Sequence, residues 1–141
     1  MGVVRRRTAD GWEGVEPRAY PTDQSPSPHP DEALASVEAE SHPGPAIAGV
    51  LKHELIGAAD GAQGYEIRHF HVPPGGRTAR ERHAHDHGVM IISGRARVTL
   101  GEQTHELSPG DVVHVSGDEL HCFEAMGDQP MGFVCVVPAK R

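Results

Sequence analysis

The sequence predicts an all-β sandwich or barrel behind a largely flexible N-terminal extension. Three observations carry this reading. From about Ile47 onward, short apolar runs rich in β-branched and aromatic residues recur every ten residues or so. Gly, Pro and Asp, the residues that turn a chain, lie between them. No segment of this half shows a helical period.

Taken in order, the first run is AGVLKHELI (48–56), closed by the turn residues ADGAQG. GYEIRHFHV (64–72) follows and stops at PPGGRT. HGVMIISG (87–94) and RARVTLG (95–101) meet at a Ser-Gly-Arg turn. QTHELS (103–108) comes after GEQ and ends at SPGD, and DVVHVS (111–116) ends at SGDE. LHCFEA (120–125) and MGFVCVVP (131–138) flank GDQP. About eight strands so spaced, with no repeat among them, make one β domain over residues 46–141.

Residues 1–45 form the extension. YPTDQSPSPHPDEALASVEAESHPGP is rich in Pro, Ser, Glu and Ala, and it cannot bury enough apolar surface to offset its ordering entropy. DEALASVEAE (31–40) allows one short helix starting at Pro30 or Asp31. Trp12 and Tyr20 are large aromatics in a polar tail, expected to dock on the folded body or on a partner subunit. Arg5, Arg6 and Arg7 read as a solvated basic run.

The 141 residues suffice for one domain without staples. A net charge of −7 excludes non-specific nucleic-acid binding. No apolar run is long enough to span a membrane. TADGWEGVEP stands where a signal peptide would need an apolar stretch, so a cytoplasmic protein is expected. Cys122 and Cys135 form no CxxC pair and read as free thiols in packed positions.

The stretch ERHAHDHG (81–88) carries the chemistry. Glu81, His83, His85 and His87 occupy alternate positions, and alternate residues of a strand share one face. Imidazole and carboxylate ligands suit borderline divalent metals, which need at least three donors converging on one point. The spacing therefore favours a metal site over a chance surface cluster. A further ligand must come from elsewhere in the wall. His121, just after the Ser-Gly-Asp turn, is the candidate. His29, His42, His53, His105 and His114 read as surface histidines.

At these residues the chain resembles the cupins, small β-barrels built as a jelly roll (a double-stranded β-helix). Their first motif is G-x5-H-x-H-x3-4-E-x6-G. The sequence GGRTARERHAHDHGVMIISG matches it without a gap at Gly75, Glu81, His83, His87 and Gly94, with Glu81 in the first His position and His87 in the Glu position. Their second motif is G-x5-P-x-G-x2-H-x3-N. GDVVHVSGDELHCFEA supplies Gly110, Ser116, Asp118, His121 and Ala125 in register, with three letters changed. The chain also resembles a subgroup of single-domain bacterial cupins in its ending, DQPMGFVCVVP. The resemblance implies a divalent transition metal (Mn, Fe, Ni, Zn or Cu) held by Glu81, His83, His87 and His121. If the strand runs straight through the turn, His85 replaces Glu81. Both registers stay open at this point.

Strand parity describes the pocket. With His87 inward, Val89 and Ile91 make an apolar floor, and Met90 and Ile92 face outward. Two apolar faces on one strand imply a covered outer face, and cupins commonly pair barrel to barrel, so a homodimer is expected. His121 inward brings Phe123 with it and puts Cys122 on the other face. The preceding strand offers either Arg68, Phe70 and Val72 or Ile67, His69 and His71. The first set is preferred, because Phe70 and Val72 would otherwise face water. Arg68 then stands ready for an anionic substrate group.

Metal-free routes find little support. Cys122 and His121 point to opposite faces and cannot pair, and PPGGRT leads into no helix and lacks a lysine. The resemblance implies a metal-dependent enzyme, of dioxygenase or isomerase type, on a small organic substrate. The alternatives are a non-catalytic module that binds or senses a small molecule or metal, and an assembly role for Trp12 and Tyr20.

Overall fold

The structure is a computed structural model that describes residues 2–19 and 49–139. The helix expected over 31–40, Tyr20, His29 and His42 lie outside the described residues. The strands are β1 Arg18–Ala19, β2 Leu51–Ile56, β3 Tyr65–Val72, β4 His87–Ser93, β5 Ala96–Leu100, β6 Gln103–Leu107, β7 Val112–Val115, β8 His121–Ala125 and β9 Met131–Pro138. β2 to β9 fall on the eight runs expected from sequence. β1 is a two-residue addition from the extension, and a short 3-10 turn, Ala58–Asp60, fills the first connection.

Two sheets form the jelly roll. The larger has the order β1-β2-β3-β9-β4-β7, and the smaller β6-β5-β8. All pairings are antiparallel, so one face of each strand can turn inward while the other meets solvent. Phe70 and Val72 from β3, Val89 and Ile91 from β4, Phe123 from β8 and Phe133 from β9 fill the space between the sheets. Phe133 sits between two rings, its centroid 5.1 Å from Phe70 and 4.6 Å from Phe123, so it joins the large sheet to the small one.

Gly94 explains why the motif ends in glycine. Its φ is +69°, and a Cβ there would stand 2.2 Å from the Pro130 carbonyl oxygen. The tight turn from β4 to β5 has no room for any other residue.

Residues 2–19 lie as a strap on the outer face of the large sheet. The Arg5 guanidinium donates to the Leu55 carbonyl and pairs with Asp60. Arg18 and Ala19 add to the edge of β2. Trp12 packs its ring 5.5 Å from His53 and 4.8 Å from His69, and Arg7 lies 4.8 Å above the indole. Docking on the folded body is thus the arrangement Trp12 adopts. It also corrects one expectation: His53 is no surface histidine but 4% exposed. It stands opposite His69 across β2 and β3, under the strap. His105 and His114 are exposed. No helix among the described residues is long and apolar enough to cross a membrane.

Candidate metal centre

The site begins where the chain leaves β3 and runs beside β8. Thr78 N donates to Phe123 O, and Glu81 and His121 exchange both backbone hydrogen bonds, at 3.0 and 2.9 Å. They form an antiparallel bridge. Directly opposed residues project to the same side, so the Glu81 carboxylate and the His121 imidazole meet. His83, two residues on, returns to that side. The loop before β8 fixes it there: Asp118 N donates to His83 O, at 2.5 Å. Asp118 has a φ of +63° and stands where the second cupin motif has glycine. Asp is among the few other residues that adopt this backbone at modest cost.

The ligand atoms of Glu81, His83 and His121 all lie within 4.8 Å of one another. His83 Nε2–H donates to Glu81 Oε2 at 2.9 Å, and the lone pairs that share this proton can share a cation. His121 Nδ1–H donates to the Glu119 carbonyl at 2.9 Å, which leaves Nε2 as the lone-pair nitrogen.

His87 enters from the large sheet at the start of β4. Its ring centroid is 4.8 Å from His121 and 6.2 Å from His83. Nδ1 lies 3.0 Å from Cys135 Sγ, and Nε2 is buried with no hydrogen-bond partner among the described residues. Its ligand atoms stand outside the 4.8 Å group that the other three form. His85 lies at a bend, exposed, with its ring stacked on His83 at 5.0 Å. Of the two registers open from sequence, the structure brings Glu81 into the converging group and leaves His85 at the rim.

Burial favours the neutral form of His87 and His121. Desolvation is the largest cause of the low His87 pKa, about 3, with His121, His83, His85 and Arg68 adding charge repulsion. Burial also lowers His121, against the opposing pull of the Glu119 carbonyl and the Glu81 carboxylate. Neutral imidazole is the form that binds metal. A set of three imidazoles and a carboxylate, with a buried orphaned nitrogen among them, fits a first-row divalent ion.

The floor is as parity requires. Phe70, Val89, Ile91 and Phe123 are 5%, 4%, 0% and 2% exposed and belong to the core beneath the histidines. Arg68 lies on the same face of β3 as Phe70, half-buried, its guanidinium 5.7 Å from that ring. Ile67, His69 and His71 take the outer face. Two features escaped sequence reasoning. Cys135 meets His87 from 48 residues away, a contact only sheet pairing creates. Arg80 and Arg82, on either side of Glu81, line an open groove with Thr99 and Thr104, which pair on β5 and β6.

The family model for the cupin domain, Cupin_2, matches residues 68–137. A cupin 2 conserved barrel domain protein from Rhodopseudomonas palustris is 31% identical, with a TM-score of 0.73, over 99% of this chain and 82% of that one. The chain belongs to the cupin family. Among curated relatives, this cupin is similar to 1-methylthio-D-xylulose 5-phosphate methylsulfurylase of Rhodospirillum rubrum, with 38% identity over 91 residues. That match takes in 64% of this chain and spans 58% of that protein's length. The polyketide cyclase RemF of Streptomyces resistomycificus is 26% identical, with a TM-score of 0.63, over 71% of this cupin and 72% of that chain.

Proposed function

We propose that this cupin is a metal-dependent enzyme that rearranges or cleaves a small anionic carbonyl compound. The convergence of Glu81, His83 and His121 within 4.8 Å carries the reading. His87 completes the ligand set. A first-row divalent ion bound there supplies a Lewis acid beside the substrate carbonyl.

The chain's own residues do the rest. Arg68 holds the anionic group through its planar fork of donors. Phe70, Val89, Ile91 and Phe123 exclude water from the floor, which strengthens every electrostatic contact above them. The similarity to a protein named for a phosphorylated ketose supports phosphate as that anion. Isomerase-type chemistry suits such a substrate better than the dioxygenase type. Two free thiols suit a cytoplasmic location. The working unit is a homodimer, joined through the outer face of the large sheet.

The test is turnover of the Mn-loaded protein on a panel of phosphorylated ketoses, with and without a thioether next to the carbonyl. An oxygen electrode runs in parallel with phenols and diketones. Turnover of a phosphorylated ketose, with KM raised at least tenfold in Arg68→Ala, is the expected result. Oxygen uptake with phenols instead would establish the dioxygenase. Ligand binding without turnover across both panels would leave a binding module.

A further inference from the structure

The His87 side chain reaches across from β4 to a residue of β9. Cys135 stands opposite Val89 on the β4–β9 ladder, and His87 lies two residues before Val89 on the same face. That diagonal brings Sγ to 3.0 Å from Nδ1. The side chains are 8% and 2% exposed, so no water competes for the contact. On its other side Cys135 faces Arg68 in the β3–β9 register, and that positive charge opposes the rise that burial imposes on the thiol pKa. Arg68 has only donors to offer, so toward it the sulfur can act only as an acceptor.

We propose that Cys135 is the positioning residue of His87: its sulfur accepts Nδ1–H and so turns the Nε2 lone pair toward Glu81, His83 and His121. The inference rests on the metal-centre reading above. It follows the arrangement at His121, where Nδ1–H is held by the Glu119 carbonyl and Nε2 is left for the site. A group behind each ligating imidazole fixes both tautomer and ring direction. Glu119 O does this for the small sheet, and Cys135 Sγ for the large one. The opposite assignment, S–H donating to Nδ1, would aim an Nε2–H at a site built from other ligands.

The test uses the full chain and Co(II), whose affinity is read by competition titration and whose coordination is read in the visible spectrum. Cys135→Ala should weaken Co(II) binding about ten- to a hundredfold, the loss typical of removing such a partner. Its spectrum should shift as water replaces His87. Cys135→Ser, which keeps an acceptor at nearly the same volume, should recover most of the affinity. Cys122→Ser, at the other buried thiol, should bind as wild type. In a His87→Ala background, Cys135→Ala should cost nothing further, which a general loss of packing would not produce. Circular dichroism checks folding, and the serine comparison stands if the alanine variant is unstable.

The proposal falls if Cys135→Ala binds Co(II) like wild type while His83→Ala and His121→Ala lose it. It falls equally if Cys135→Ala costs as much without His87 as with it. A sulfur-to-cobalt charge-transfer band that vanishes in Cys135→Ala would make the thiol a ligand, and so overturn the positioning role. Wild-type binding in His83→Ala and His121→Ala would instead remove the metal centre itself.

Discussion

Glu81 and His85 stand two residues to either side of His83, yet only one is built into the ladder. Glu81 exchanges two backbone hydrogen bonds with His121 and accepts one from His83, whereas His85 lies exposed on a bend. A carboxylate whose backbone is fixed by the bridge and whose oxygen already meets His83 loses little entropy when it binds a cation, whereas His85 lies on a bend outside any ladder. Glu81→Ala should therefore lower bound metal at least tenfold after dialysis, with His85→Ala within about twofold of wild type, measured by elemental analysis. The reverse order would hand the fourth position to His85. Much of this site was legible in the residues. Period-2 spacing put Glu81, His83, His85 and His87 on one side, and the motif register set His85 aside and reached His121. The cross-strand bridge was not legible, because residues 76–81 pair with β8 without the alternating pattern of a strand. Nor was the Cys135 contact, since nothing local to Cys135 marks the strand that will lie beside it.

At the scale of elements, the eight long strands announced themselves through runs and turns, but the strap did not. Its two-residue strand and its indole have meaning only against β2 and β3. Beneath it His53 and His69, each 4% exposed, lack hydrogen-bond partners for all four ring nitrogens among the described residues. Arg7 and His71 stand close enough to repel a proton on either ring. Burial is the first cause of the depressed His69 pKa, about 4 against an ordinary 6.5, and His53 shifts the same way. Because the docked state holds these rings neutral, it binds fewer protons than the undocked one. Their contribution is thus fully present above pH 6.5 and is lost as pH falls toward 4. The loss from His69 approaches ~1.4 kcal/mol per pH unit in that window. Trp12 is the one tryptophan of the chain, so its emission reports the strap directly. Acidification from pH 7.5 to 5 should shift that emission to longer wavelength, ahead of global unfolding read by circular dichroism. His69→Phe should abolish most of the pH dependence. An emission maximum that stays constant until the whole barrel unfolds would show that the strap does not respond to these histidines.

For the whole molecule, what remains unexplained is apolar surface. Among the described residues, the strap covers the β2–β3 side of the large sheet and leaves the β9–β4–β7 side open. There Met90 is 45% exposed, Val112 66% and Val136 43%. Register makes these neighbours: Met90 lies opposite Val112 on β7 and Val134 on β9, and Val136 is two residues from Val134. Scattered exposed apolar groups are ordinary, but a strip across three adjacent strands points to a partner surface. A net charge of −7 opposes indiscriminate association, so a self-complementary patch around a twofold axis is the closed solution. Sedimentation should then give twice the chain mass of 15.1 kDa at micromolar concentration. Met90→Lys with Val136→Lys should yield a monomer that keeps its circular dichroism and its metal, because both side chains point away from the barrel interior. Persistence of the dimer in that double variant would move the interface to another face. A monomeric wild type would leave the strip for a different protein.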